Sequence, residues 1–72
     1  MIYIKETYTS GGLTQKEIYY FDALREFVVD FTDYENEELK HMDEYDFKTT
    51  TNGYELYRNN RLLYKGYLVE KE

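Results

Sequence analysis

The run DALREFVVDF, residues 22–31, decides how the rest of this chain is read. Leu24, Phe27, Val28 and Phe31 recur at i, i+3, i+4 and i+7, the spacing that gathers side chains on one stripe of an α-helix. Asp22 stands just ahead of the stripe, where a carboxylate can accept from the free amides of a helix start. A helix from residue 22 to near residue 33 is therefore expected. Asn36 is placed to cap a second, short helix through Met42 that would turn Leu39 and Met42 inward.

Outside this run the hydrophobic period changes to two, the signature of strands. Residues 1–9 alternate, with Ile2 and Ile4 on one side and Tyr3 and Lys5 on the other. Gly11 and Gly12 supply a turn, and a two-residue loop there sets Ser10 opposite Leu13, Ile4 opposite Tyr19 and Ile2 opposite Phe21. From Tyr45 onward three strands follow, with turns at Asn52-Gly53 and Asn59-Asn60, residues that tolerate the positive φ of a type I′ turn.

Counting outward from those turns puts Thr49 opposite Leu56, and Leu56 opposite Leu63. One face then collects Phe47, Tyr54, Leu56, Leu63, Tyr67 and Val69; the other collects Lys48, Glu55, Tyr57, Leu62, Tyr64 and Leu68. The second set is too apolar for a wet face, so both sides of the sheet are expected to be partly covered. Gly66, inside the last strand, marks a bulge or a close backbone approach. The fold class that follows is α+β. Residues 1–72 form a single small acidic domain, in which a β-hairpin and a three-stranded β-meander make a small antiparallel sheet with one main helix packed on one face.

Seventy-two residues hold one small core, which rarely supplies more than about 3–5 kcal/mol of net stability. The chain has no cysteine, and so no disulfide, thiolate ligand or thiol nucleophile, which fits a cytoplasmic setting. Its first residues lack the basic start and apolar run of a signal peptide, and no segment reaches membrane-spanning length. With 42% hydrophobic and 19% aromatic residues it reads as folded despite a net charge of −6.

Motifs for catalysis are not evident. Gly11, Gly12, Gly53 and Gly66 fit neither the GxxxxGK[ST] nor the GxGxxG phosphate cradle. His41 is the only histidine, and no nucleophile motif accompanies it. Aligned as an EF-hand loop, DFTDYENEELKH has Glu35 where the turn glycine belongs and His41 where the bidentate glutamate belongs. The expectation is a non-enzymatic protein without catalytic, cofactor-binding or metal-binding residues.

The charge is localised instead. Residues 22–46 carry ten acids and two bases, a net −8, while the remainder of the chain carries +2. Glu37 and Glu38 would favour a helix N-terminus, but that accounts for only part of a cluster whose members repel one another. Asp30, Asp33, Tyr34, Glu35, Glu37, Glu38, Asp43 and Glu44 are accordingly the candidate surface for a basic protein partner. Its narrowest form is a DNA mimic of the kind phages and mobile elements encode. The alternative is a structural protein that forms a homodimer, or docks in an assembly, through Tyr57, Leu62, Tyr64 and Leu68. Direct nucleic-acid binding by Lys48, Arg58, Arg61 and Lys65 among the meander tyrosines is opposed by the acidic helix, which repels phosphate.

Overall fold

The computed structural model describes residues 1–70, which fold as β1 (Ile2–Thr9), β2 (Gly12–Tyr19), α1 (Ala23–Lys40), β3 (Tyr45–Thr49), β4 (Gly53–Arg58) and β5 (Arg61–Val69). This is the expected α+β class. The hairpin and the meander are not separate: β1 pairs with β5 as well as with β2, giving one antiparallel sheet of order β2-β1-β5-β4-β3. α1 crosses one face and touches β1, β3 and β5. The other face carries no second layer among the described residues, contrary to the expectation of two covered sides.

The helix is a single unit of 18 residues and not two short ones. Its buried periodicity does not stop at Phe31, because Tyr34 continues the stripe one turn further and stacks on Tyr64 at 4.7 Å and 7°. Asn36 thus sits in mid-helix and caps nothing. Asp22 does not cap with its side chain either: its backbone is left-handed (φ 54°), and it is its carbonyl that accepts, from the Glu26 N–H at 2.9 Å. At the far end the His41 N–H is shared between the Glu37 and Glu38 carbonyls, both at 3.1 Å.

Three strand registers depart from those the turns suggest. In the first hairpin Thr9 pairs with Gly12, and an extra residue on β2 then shifts the ladder so that Tyr3 faces Tyr19 and Ile4 faces Ile18. Asn52-Gly53 is not a two-residue turn. β3 ends at Thr49, the Thr50 N–H bonds to the Gly53 carbonyl at 2.9 Å, and Phe47 faces Leu56. Asn59-Asn60 is the expected tight turn, with φ of 50° and 67°. Beyond it, however, the β4–β5 ladder slips by one residue: Tyr57 faces Leu62, whereas Leu56 faces Tyr64, leaving Leu63 over. That bulge turns every later residue of β5 to the opposite face.

The physical reason is visible in what the shift buries. Tyr64 and Leu68 join the core under α1, together with Tyr19, Phe27, Phe31, Tyr34 and Phe47, around the fully buried Tyr3 and Tyr54. Gly66 falls opposite Tyr54, whose ring lies where a Gly66 Cβ would project, and a Cβ on Gly53 would meet the Gly66 carbonyl. Both glycines are close backbone approaches. The core is chiefly aromatic, and its contacts include a T-shaped Phe31–Phe47 pair at 5.0 Å and a stacked Tyr3–Tyr19 pair at 5.4 Å.

On the open face the same registers align charges. Lys16, Glu6, Lys65, Glu55 and Lys48 stand opposite one another in sequence across all five strands, a row of alternating sign. Glu6 is only 9% exposed and accepts from the Tyr8 and Tyr67 hydroxyls at 2.6 and 3.1 Å, with Lys16 at 3.9 Å. A one-residue slip would remove all of these opposite-sign contacts, so the row helps to fix the register.

Candidate functional site: the two flanks of the helix

The eight residues of the acidic candidate do not form one ridge. Asp30 points inward, where its carboxylate accepts from the Tyr3 hydroxyl at 2.7 Å and lies 3.6 Å from Lys5 Nζ. Tyr34 is also turned inward, packed on Tyr54 and Tyr64 with Lys5 Nζ 5.2 Å from its ring centroid. Glu38 accepts from the Phe47 N–H of edge strand β3 at 2.9 Å. Glu44 is paired with Arg58. These four hold the fold together.

Asp33, Glu35 and Asp43 are exposed and have no hydrogen bond or ion pair among the described residues, and Glu37 meets only His41, at 3.9 Å. Helical spacing sorts them. Glu26, Asp30, Asp33 and Glu37 recur at i, i+4, i+7 and i+11, a stripe about 16 Å long on the flank next to β1. Glu35 lies on the other flank, toward β3, and Asp43 lies beyond the helix. Glu26 was not among the residues expected from the acidic run, yet the same i, i+4 count starting from Asp30 reaches it.

The other flank is apolar in its first half. Of the stripe that announces the helix, Phe27 and Phe31 enter the core, but Leu24 and Val28 remain 55% and 51% exposed. The sheet therefore covers only half of the apolar stripe. Met1, Leu24, Val28 and Val29, together with Asp22 and Arg25, line an open groove of about 630 Å³, and a second groove of about 430 Å³ runs from Met1 past Phe27 and Phe31 to the β3–β4 loop and Leu68. Phe21, just before the helix, is 89% exposed.

The expected association face does not exist as one surface. Tyr64 and Leu68 lie under the helix, whereas Tyr57 stays on the open face, its hydroxyl bonded to Glu55 at 2.9 Å and its ring 4.9 Å from Lys48 Nζ. Leu62 stands opposite Tyr57. The residue bulged out at Leu63 separates the two pairs.

Buried phenols and an amine occupy the space between helix and sheet. Burial first, then hydrogen bonding to Tyr54 and Asp30, pushes the Tyr3 hydroxyl far above the usual phenol range, and burial likewise raises Tyr54 and Tyr34. Burial works against the charged Lys5, but Tyr34, Asp30 and Glu17 more than offset it and raise its pKa overall. The cluster is saturated internally: no buried side-chain nitrogen or oxygen lacks a partner among the described residues. It holds helix to sheet.

Among the described residues, no three acidic or histidine side chains converge as a metal ion would require, and no helix is long and apolar enough to cross a membrane. Comparison with protein-family models, with curated protein sequences and with solved structures finds no match.

Proposed function

We propose that the protein is a non-enzymatic interaction module that presents the acidic flank of α1 to a basic partner protein. The contrast between its two faces carries this reading. On the open sheet face each charge of the five-strand row stands beside an opposite charge. On the helix flank Glu26 and Asp33 have no counter-ion among the described residues, and Glu37 has only a histidine. Such a field speeds the encounter with a positive surface and is screened by salt.

A DNA mimic is the narrower form of this reading. The three outward carboxylates Glu26, Asp33 and Glu37 over about 16 Å of helix are sparser than phosphates, which follow one another every 3.4 Å or so along each DNA strand. The spacing suits a basic protein surface in general and a nucleic-acid site as one case of it.

The test is Glu26→Gln, Asp33→Asn and Glu37→Gln combined, leaving the structural Asp30, Glu38 and Glu44 intact. The folded variant is expected to lose its partners from a lysate of the source cells through slower association, with a weaker salt dependence. Displacement of DNA from a recovered partner would identify the mimic. Retention of every partner with unchanged salt dependence would dismiss the acidic flank as a binding surface.

A further inference from the structure

Asn52-Gly53 does not make a tight turn, and what Asn52 does instead is hold Leu68. Its carboxamide nitrogen donates to the Leu68 carbonyl at 3.0 Å, and its own carbonyl accepts from the Leu68 N–H at 2.9 Å. Side chain and backbone of one loop residue are thus clamped to the end of β5. Gly53 follows as the first residue of β4, buried, with the Gly66 carbonyl where its Cβ would project. Of the four asparagines, Asn36, Asn52, Asn59 and Asn60, only Asn52 precedes a glycine.

That dipeptide carries a reaction of its own. The Gly53 amide nitrogen gives up its proton and attacks Cγ of Asn52; the Cγ–Nδ2 bond breaks, ammonia leaves and a succinimide ring remains. Water then adds to either imide carbonyl and opens the ring, giving aspartate or isoaspartate, in which the main chain runs through Cγ. One water is consumed and one ammonia released, with no change of oxidation state. Glycine favours ring closure because it has no side chain to obstruct it. Closure also needs the carboxamide to leave Leu68 and the Asn52–Gly53 peptide to rotate. The clamp holds both, and the packing of Gly53 on Gly66 holds the peptide a second time.

We propose that Asn52 is a deamidation site gated by its own clamp: it reacts only when β4 and β5 part at Leu68, and its products cannot restore the clamp. The site is independent of the acidic flank of α1. Asn52 is exposed, so water reaches it. An aspartate there has no proton to donate and sets its carboxylate against the Leu68 carbonyl. Isoaspartate adds an atom to the main chain just before Gly53, whose carbonyl accepts from the Thr50 N–H at 2.9 Å and which faces Tyr67 on β5. Leu68 also faces the buried Tyr3 on β1, so the end that loosens borders the core.

The experiment incubates the full chain, folded and in urea, beside the peptide TTNGYEL at mildly alkaline pH, below the range in which the phenols ionise. Mass spectrometry of the digested chain reads the change from amide to acid at Asn52, and chromatography separates the isoaspartyl product. Amide hydrogen exchange reads the opening of the clamp at the Leu68 N–H. The unfolded chain is expected to react at the peptide's rate and the folded chain at least about tenfold more slowly, by the same factor that protects the Leu68 amide, because one opening governs both. Gly66→Ala, which crowds Tyr54, should speed both by a common factor; if it does not fold, wild type in urea below the unfolding midpoint makes the same comparison. Asn52→Asp, the stand-in for the product, should exchange its Leu68 amide at least about tenfold faster than wild type.

Deamidation of the folded chain at the peptide's rate would overturn the proposal. So would slow deamidation beside a freely exchanging Leu68 amide, since the clamp would then not be the gate. A Leu68 amide as well protected in Asn52→Asp as in wild type would refute the claim that the product leaves the clamp open.

Discussion

The Tyr3 hydroxyl donates a 2.7 Å hydrogen bond to the Asp30 carboxylate, joining the middle of the sheet to the middle of the helix. Tyr54 lies 2.5 Å from the same hydroxyl. With the Tyr3 proton directed at Asp30, Tyr54 is left to donate to Tyr3, and the three groups form a chain in which each oxygen is satisfied.

Tyr3→Phe keeps the ring but breaks this chain, leaving a buried hydroxyl on Tyr54 and one fewer donor for Asp30. The expected cost is about 1–3 kcal/mol, read as a lower urea midpoint with unchanged slope. For a chain of this size the melting temperature falls about 4–8 °C per kcal/mol. A variant as stable as the wild type would show that Tyr54 finds another partner.

Gly66→Ala drives a methyl group into the buried Tyr54 ring, and Gly53→Ala drives one into the Gly66 carbonyl. Overpacking of a fixed core costs about 1–3 kcal/mol. Gly53→Ala is expected to be the worse of the two, because a paired backbone yields less readily than a ring. Gly11→Ala, where a Cβ would meet only the edge of Thr9 at 3.9 Å, is the control and should stay near wild-type stability in the same denaturation series.

Alkali should unfold the protein through its tyrosines. Tyr3, Tyr34 and Tyr54 are raised above the ordinary phenol value chiefly by burial, and Tyr8 is pushed up to about 12 chiefly by its bond to Glu6. A group whose folded pKa is raised holds its proton more tightly in the native state, so its contribution is complete below the ordinary value of about 10. That contribution is lost as pH rises through the folded pKa. The raised Lys5 acts in the same direction. Phenolate absorbance and loss of far-ultraviolet ellipticity should therefore rise together above about pH 10. Complete ionisation with native ellipticity would show that burial does not protect these hydroxyls.

Glu38→Ala removes the side chain that occupies the Phe47 N–H on the outer edge of the sheet. A loss of about 1 kcal/mol is expected, together with increased light scattering, because an uncovered strand edge pairs with other chains. Glu37→Ala, one residue away, should do neither, since its carboxylate reaches only His41 at 3.9 Å.

Lys65→Glu places three carboxylates side by side, with Glu6 on β1 and Glu55 on β4. Each like-charge pair costs about 0.2–1 kcal/mol, and the deficit should shrink as salt is added. Lys16→Glu, on the outer strand, meets Glu6 alone and should cost about half as much.

Local physics carried the sequence a long way and then stopped at identifiable places. Element types, the Asn59-Asn60 turn, the α+β class and the close approach at Gly66 follow from short-range rules: a 3.6 or 2.0 hydrophobic period, positive φ at asparagine, and the missing Cβ of glycine. The length of α1 was partly legible, because Tyr34 stands three residues after Phe31 and extends its stripe. Strand registers were not legible. They turn on the bulges opposite Thr7/Tyr8 and Leu56/Tyr57, and a bulge is selected by what the far strand buries, not by the residues at the turn. One extra residue at Leu63 sent Tyr64 and Leu68 to the core and brought Lys65 between Glu6 and Glu55. The sequence likewise determined how much negative charge the middle of the chain holds, since composition is local. Which carboxylates are structural and which face solvent was decided only by tertiary packing, because Asp30, Glu38 and Glu44 find their partners on strands 27, 9 and 14 residues away in the chain. The same packing left Leu24 and Val28 outside, for a sheet on one side of a cylindrical helix reaches only the part of the stripe that faces it.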